Sequence, residues 1–142
     1  MKKGVSNIEK LDAPGRTAVE NRNVGLVRQI MEGFARTDFM VLASNLAPGG
    51  DIWVQGLSPE KVGNMMEMLG KLPQIFSNGM HFTIKQVAVE GHVVFVEWDD
   101  EAITSRGLTY RNNGVSVFTF NDQGRILSYH EYIDSQQLFA VL

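Results

Sequence analysis

The C-terminal quarter of the chain, residues 107–142, constrains the fold most strongly. Two runs rich in β-branched and aromatic residues, 110–120 and 125–133, flank the polar segment Asn121–Gly124. In each run the side chains alternate between two faces, as they do in half-buried strands. A short polar connection that ends in glycine is typical of a hairpin turn. The stretch therefore predicts an antiparallel hairpin, followed after Asp134 by no more than one helical turn.

The segments before this hairpin predict three helices and a short strand. Thr17 and Glu20 have the spacing of a capping box, and apolar residues then recur at three- and four-residue steps. A short second helix is expected at 39–46 and a strand at 51–55. A third helix, 58–73, begins with serine at the N-cap and proline at the first helical position.

From residue 80 onward the apolar pattern has a period of two. It predicts strands at 80–89, 92–104, 109–120 and 125–133, separated by breaks that contain glycine. Helices that precede a run of antiparallel strands are typical of an α+β fold. The polar residues 1–15 are expected to form a flexible N-terminal arm, and residues 16–142 a single domain.

Composition excludes several classes of function. The chain has no cysteine, which excludes disulfides, thiolate catalysis and cysteine-bound metals. The net charge of −3 argues against a nucleic-acid partner. No apolar window has the length of a signal peptide core or a membrane span, so we expect a cytoplasmic protein with no membrane partner. The three histidines do not have metal-ligand spacing, and phosphate or dinucleotide motifs are absent, so we expect neither a metal nor a cofactor.

The order of helix, helix, short strand, helix and long hairpins resembles the nuclear transport factor 2-like superfamily. The segments that carry the resemblance are Tyr110–Asn112, Val117–Phe120, Gly124–Ile126 and Glu131–Asp134. The chain looks most similar to the SnoaL-like polyketide cyclases, with ketosteroid isomerases and limonene epoxide hydrolases as relatives. The resemblance implies a cone-shaped, curved sheet, mixed or antiparallel, wrapped on the N-terminal helices. It also implies a pocket for an apolar small-molecule ligand and a homodimer formed through the sheet.

The epoxide hydrolase pattern consists of a Tyr and an Asn two apart on the first strand, Arg-x-Asp on a middle strand, and an Asp near the end of the last strand. By resemblance, these positions fall on Trp53 and Gln55, on Glu97 and Asp99, and on Glu131. The arginine is therefore lost. This loss counts against epoxide hydrolysis, because the family uses the arginine to hold the two carboxylates together and to polarise the epoxide.

Three carboxylates are the candidate catalytic residues. Glu97 and Asp99 share one face of a strand, and Glu131 shares a face with Tyr129. An apolar pocket disfavours the charged form of a carboxylate, and its pKa then moves toward neutral pH, where a general acid or base is most effective. The alternative is that segment 97–101, with four acids in five residues, is a solvated strand end.

Six further residues are candidates for contacting a substrate: Trp53, Gln55, His81, Tyr110, Asn112 and Tyr129. Trp53 and Tyr129 would shape the cavity, and Gln55 and Asn112 would orient the substrate. Each residue also has an ordinary alternative: the aromatic side chains pack in the core, Asn112 pairs with a loop, and His81 is half-buried at the start of a strand.

Two classes of function remain open. In the first, the chain is a cofactor-independent enzyme in which Asp99 and Glu131 exchange a proton with an apolar, oxygenated molecule, and the resemblance implies cyclisation, isomerisation or dehydration. In the second, it is a ligand-binding or dimerisation module without chemistry. The state of the carboxylates discriminates between them, because a buried pair with shifted pKa values favours the enzyme.

Overall fold

The computed structural model describes residues 2–142. Its elements, in chain order, are β1 (Gly4–Ser6), a 3-10 turn (Ile8–Leu11), α1 (Ala18–Ala35), α2 (Met40–Ala43), β2 (Leu46–Val54), α3 (Pro59–Val62), α4 (Met65–Ile75), β3 (His81–Glu90), β4 (Val93–Ile103), β5 (Thr109–Phe120), β6 (Ile126–Ile133) and α5 (Ser135–Phe139). None of the helices among these residues combines the length and apolar character that crossing a membrane demands.

One six-stranded sheet, in the order β1-β3-β4-β5-β6-β2, forms the body of the molecule. Strands β3 to β6 pair antiparallel, each with the next, while the edge strands β1 and β2 pair parallel with β3 and β6. The sheet is curved and does not close into a barrel. The predicted α+β class and the four-stranded meander are confirmed.

The helices cover one side of the sheet, which we call the inner face. Helix α1 begins with the predicted capping box between Thr17 and Glu20, and its residues Val27, Ile30 and Met31 are completely buried. The opposite side of the sheet, the outer face, carries exposed side chains such as Trp53, Phe95 and Tyr132. Side chains of β4 alternate between buried inner positions and more exposed outer positions, so the period of two fixes which residues can line an internal cavity.

The N-terminal segment differs from the flexible arm expected for residues 1–15. Residues Gly4–Ser6 form an edge strand paired with β3, and Leu11 is completely buried. The pairing satisfies backbone groups of β3 that would otherwise form an open sheet edge.

Two boundaries also differ from the sequence prediction. Strand β2 begins at Leu46, well before the predicted 51–55, because pairing with β6 continues past the Pro-Gly-Gly segment through an irregularity between Leu46 and Asp51. The helix expected over 58–73 is broken into α3 and α4. At the break, Gly63 has φ +71°, a conformation that other residues rarely adopt. The Asn64 side chain accepts hydrogen bonds from the backbone amides of Met66 and Glu67 in the first turn of α4.

Candidate functional site

An internal cavity of about 70 Å³ lies between the inner face of the sheet and the helices. Apolar side chains make up most of its wall, including Met65, Met68, Leu69 and Leu72 of α4. Two carboxylates and two phenols interrupt this wall: Asp100 on β4, Tyr110 on β5, and Tyr129 and Glu131 on β6. Sites for drug-sized ligands usually measure roughly 300–1,000 Å³, so this cavity is smaller than a typical site of that kind.

Glu131 brings a carboxylate into this cavity from β6. Burial raises its pKa to about 6, against the opposing effect of a hydrogen bond from the Tyr129 hydroxyl to Oε1. A carboxylate with this pKa is mostly ionised at neutral pH, and it is more basic than an ordinary glutamate. These are the properties of a general base.

Asp100 is the second carboxylate of the cavity, and its pKa lies well above the ordinary range. Burial is the main cause, and the negative charge of Glu131 adds to it. Its Oδ1 atom is buried and has no hydrogen-bond partner among the described residues. A buried carboxylate oxygen without a hydrogen bond favours the neutral form of the acid, which can donate a proton or a hydrogen bond.

The acid that β4 places in the cavity is Asp100, which was not among the predicted site residues. Glu97 and Asp99 point to the outer face, where the Asp99 side chain is 53% exposed and 3.9 Å from the Lys85 ammonium. Segment 97–101 has acidic residues on both faces of the strand. The positions of the acids alone therefore do not show which of them points inward. A signal was nevertheless present, because Val94, Val96 and Trp98 are in phase with Asp100 and are buried.

Strand β2 also places residues other than the predicted ones in the cavity. Trp53 lies on the outer face, 40% exposed, with its ring 5.1 Å from that of Tyr132. The Gln55 side chain accepts a hydrogen bond from the Ile133 backbone amide at 3.2 Å, so it ties β2 to β6 and does not reach the cavity. Ile52 and Val54 take the inner positions.

Tyr110 lines the cavity as expected, whereas Asn112 has a structural role. The Asn112 amide donates to the Tyr110 hydroxyl at 2.8 Å and to the Asp134 carbonyl at 3.0 Å. Its carbonyl accepts from the backbone amides of Asp134 and Asn113. These bonds occupy the side chain and position Tyr110. The pKa of Tyr110 is raised, mainly by burial and then by the charge of Asp100, so the phenol stays protonated.

His81 is buried, but it lies outside the cavity. Its Nε2 atom is 2.7 Å from the Ser6 hydroxyl, and Nδ1 is 3.6 Å from the Glu101 carboxylate. The neighbouring residue Phe82 takes the inner position. His81 therefore joins β1, β3 and β4 on the outer face.

A chain of buried polar side chains, connected by hydrogen bonds, extends from Glu131 across β6, β5 and β4. Tyr129 contacts Glu131, its hydroxyl lies 2.9 Å from Ser116 Oγ, and Ser116 Oγ lies 2.9 Å from Nε1 of Trp98. Only the two β6 members, Tyr129 and Glu131, were predicted as site residues, because Trp98 and Ser116 become neighbours through strand register. Within residues 2–142, no three His, Asp or Glu side chains converge to hold a metal ion.

Comparisons with known proteins agree with this architecture. The model of the SnoaL-like domain matches residues 27–129. A protein assigned as a SnoaL-like polyketide cyclase from Jannaschia sp. CCS1 is 17% identical, with a TM-score of 0.68 over 91% of this chain and 96% of that one. No protein of curated function matches the sequence significantly.

Two other solved structures are similar in fold. TerC, co-crystallised with polyporic acid, is 20% identical, with a TM-score of 0.65 over 84% of this chain and 97% of that one. A limonene epoxide hydrolase-like epoxide hydrolase of M. tuberculosis is 19% identical, with a TM-score of 0.63 over 87% of this chain and 90% of that one. At these identities the similarity shows a shared fold and nothing finer.

Proposed function

The chain belongs to the SnoaL-like domain family of the nuclear transport factor 2-like superfamily, and on this premise we propose that it is a cofactor-independent general acid–base enzyme. Its substrate is an apolar small molecule with a carbonyl group, and its reaction is isomerisation, cyclisation or dehydration through an enolate. Glu131 is the base and Asp100 is the acid.

One observation carries this proposal: two carboxylates with raised pKa values share an apolar cavity. Burial raises the pKa of both groups, and the charge of Glu131 raises that of Asp100 further. In the proposed reaction Glu131 is ionised and Asp100 keeps its proton. A base and an acid are thereby available together at neutral pH. An apolar wall strengthens their electrostatic interactions with a polar reacting centre.

The proposed step conserves atoms and charge. Glu131 removes a proton from the carbon next to the substrate carbonyl, and the electron pair of that C–H bond moves into the enolate. Asp100, as the neutral acid, donates a hydrogen bond or its proton to the enolate oxygen. Returning the proton to another carbon gives isomerisation, and attack of the enolate carbon on a second carbonyl gives ring closure.

Tyr110 would assist at the same oxygen. Its hydroxyl already accepts a hydrogen bond from Asn112, so its own proton is free to point into the cavity. The predicted contact of Tyr110 with substrate therefore remains part of the proposal, and Tyr129 keeps its predicted role of shaping the cavity wall. The contacts predicted for Trp53, Gln55, His81 and Asn112 are not part of the proposal, because their side chains are committed elsewhere.

Epoxide hydrolysis is the less supported alternative. Moving the predicted Arg-x-Asp match by one residue, onto the inner face, puts Trp98 in the arginine position and Asp100 in the aspartate position. No lysine, arginine or histidine lines the described cavity, so a cation to hold the carboxylates and polarise an epoxide is missing. The other alternative, a binding module without chemistry, predicts an inert cavity.

Homodimer formation through the sheet is the second part of the proposal. Trp53, Phe95 and Tyr132 are each at least 40% exposed on the outer face. Val115 lies opposite Tyr132, and Val117 lies opposite both Phe95 and His130, which connects these residues across four strands. Contiguous exposed apolar area of this kind marks an interaction surface, and a second copy offers the same area.

Solvent deuterium incorporation tests the catalytic proposal without knowledge of the natural substrate. The protein is incubated in D2O with α-tetralone and with cyclohexenone, and exchange of the α-hydrogens is followed by mass spectrometry. We expect exchange above the buffer rate, reduced roughly 10²–10⁴-fold in Glu131→Gln. The matched control Glu97→Gln, on the outer face, should retain it. Exchange equal in wild type and Glu131→Gln would support the binding module.

A further inference from the structure

The hydrogen bonds that connect Trp98, Ser116 and Tyr129 to Glu131 all run in one direction. Trp98, Ser116 and Tyr129 expose at most 2% of their surface, and hydrogen bonds link them in that order to Glu131. We infer that Trp98 and Ser116 are positioning residues that commit the Tyr129 hydroxyl proton to the Glu131 carboxylate. This inference rests on the proposed role of Glu131 as the base.

The chemistry of the two ends fixes the direction. An indole N–H can only donate, so Trp98 donates to Ser116 Oγ. The Ser116 hydroxyl has no other described partner, so its proton points to the Tyr129 oxygen. Tyr129 has then accepted a hydrogen bond, and its own proton goes to Glu131. An ionised carboxylate can only accept, so all three protons point the same way.

This direction has two chemical consequences. Each bond polarises the next, so the chain favours the ionised form of Glu131 and opposes the effect of burial. It also removes Tyr129 from the set of groups that can donate to a substrate. Hydrogen bonding to the substrate oxygen therefore falls to Asp100 and Tyr110, and Glu131 keeps its second oxygen, Oε2, for the substrate proton.

Strand register explains why the chain can form. Ser116 lies opposite Glu131, and Gly114 lies opposite Trp98. A Cβ atom at Gly114 would lie 3.0 Å from Cζ2 of Trp98 and 2.4 Å from the Tyr132 carbonyl. The absence of a side chain at Gly114 leaves space for the indole to lie across β5 and reach Ser116, two residues farther along the same face.

A purely structural role predicts something different. Ser116 would then only satisfy the buried indole N–H, and its loss would lower stability without affecting the acidity of Glu131. The pKa of Glu131, measured by carbon NMR of the side-chain carboxyl and assigned with Glu131→Gln, separates the two roles. This measurement needs no turnover, so it also separates this inference from the proposed reaction.

Four variants make the test. Tyr129→Phe is expected to raise the pKa of Glu131 by roughly 1–2, the value of a lost charge-assisted hydrogen bond. Ser116→Ala and Trp98→Phe should each raise it by about 0.3, the part contributed by polarisation along the chain. The matched control Ser128→Ala, on the outer face of β6, should leave it unchanged.

The double variant Ser116→Ala/Tyr129→Phe is the decisive member of the series. If Ser116 acts through Tyr129, the double variant has the same Glu131 pKa as Tyr129→Phe alone. An additional rise in the double variant, or no rise in either Ser116→Ala or Trp98→Phe, would overturn the inference. Should Ser116→Ala not fold, Trp98→Phe with its own Tyr129→Phe double variant gives the same comparison. If the pKa of Glu131 shifts as expected in these variants but the wild-type protein exchanges no α-hydrogens, the proposed reaction is rejected. The inferred direction of the hydrogen bonds then still holds.

Discussion

Asp100 and Glu131 face one apolar cavity from β4 and β6, two strands that β5 separates. Burial raises the pKa of both groups, and the charge on Glu131 raises that of Asp100 further. In the proposed reaction Glu131 is the base and Asp100 is the acid. Four predictions follow from this relationship and from the strands that carry it.

Replacement of Glu131 should stabilise the protein in a pH-dependent way. The pKa of Glu131 is raised from 4.5 to about 6, so its contribution to stability is fully present below about pH 4.5 and is lost as the pH rises through 6. Glu131→Gln should therefore increase the free energy of unfolding at pH 7 by about 2 kcal/mol. Urea unfolding at pH 4 and pH 7 checks this. An equal difference from wild type at both pH values would contradict it.

Replacement of Asp100 should abolish exchange of substrate α-hydrogens, whereas replacement of its neighbour should not. Asp100→Asn removes the acidic proton from the cavity, and we expect the exchange rate to fall roughly 10²–10⁴-fold. Asp99→Asn makes the same chemical change on the outer face, away from the cavity, and should retain most of the exchange rate. Equal losses in both variants would reject the assignment of the inner acid.

Two glycine-to-alanine substitutions should have opposite effects on stability. At Gly114 the added methyl group meets Trp98 and the Tyr132 carbonyl, so we expect a loss of about 1–3 kcal/mol. At Gly25, inside α1, nothing lies within 4 Å, and alanine should stabilise the helix by about 0.5–1 kcal/mol. Thermal unfolding of both variants checks the pair. A stabilising Gly114→Ala would show that the indole is not packed over this position.

The proposed dimer predicts a native mass of about twice 15.8 kDa. Phe95→Lys places a charge in the middle of the outer face and should give a folded monomer. Met66→Lys changes an equally exposed apolar residue on α4 and should leave the dimer intact. Sedimentation equilibrium at micromolar concentration measures both. A monomeric wild-type protein would remove the dimer from the proposal.

Much of the fold was predictable because it depends on local patterns. The capping box of α1, the period-two runs and the turn at Gly124, whose φ is +78°, are each readable within a few residues. The extension of β2 to Leu46 was not predictable from the sequence, because pairing with β6 overrides the local preference of a Pro-Gly-Gly segment. The break between α3 and α4 depends on a positive φ at Gly63 that no periodicity reveals.

The site was only partly predictable, for a physical reason. Glu131 and Tyr129 both line the cavity, and the clear alternation of the hairpin that carries them placed them on one face from the sequence alone. On β4 the acids occupy both phases, and only the apolar residues before them, ending at Trp98, identify Asp100 as the inner one. The link from Trp98 to Ser116 joins residues 18 positions apart, and only the register of β4 against β5 brings them together.

The most direct test of the account is the titration of Glu131 and Asp100 by carbon NMR of their side-chain carboxyls. Glu131→Gln and Asp100→Asn provide the assignments. We predict that Glu131 titrates near pH 6 and that Asp100 titrates well above the usual aspartate range, because both lie in the apolar cavity. Titration of both groups near their free values of about 4 would contradict the account, since solvated acids could not serve as the base and the acid proposed here.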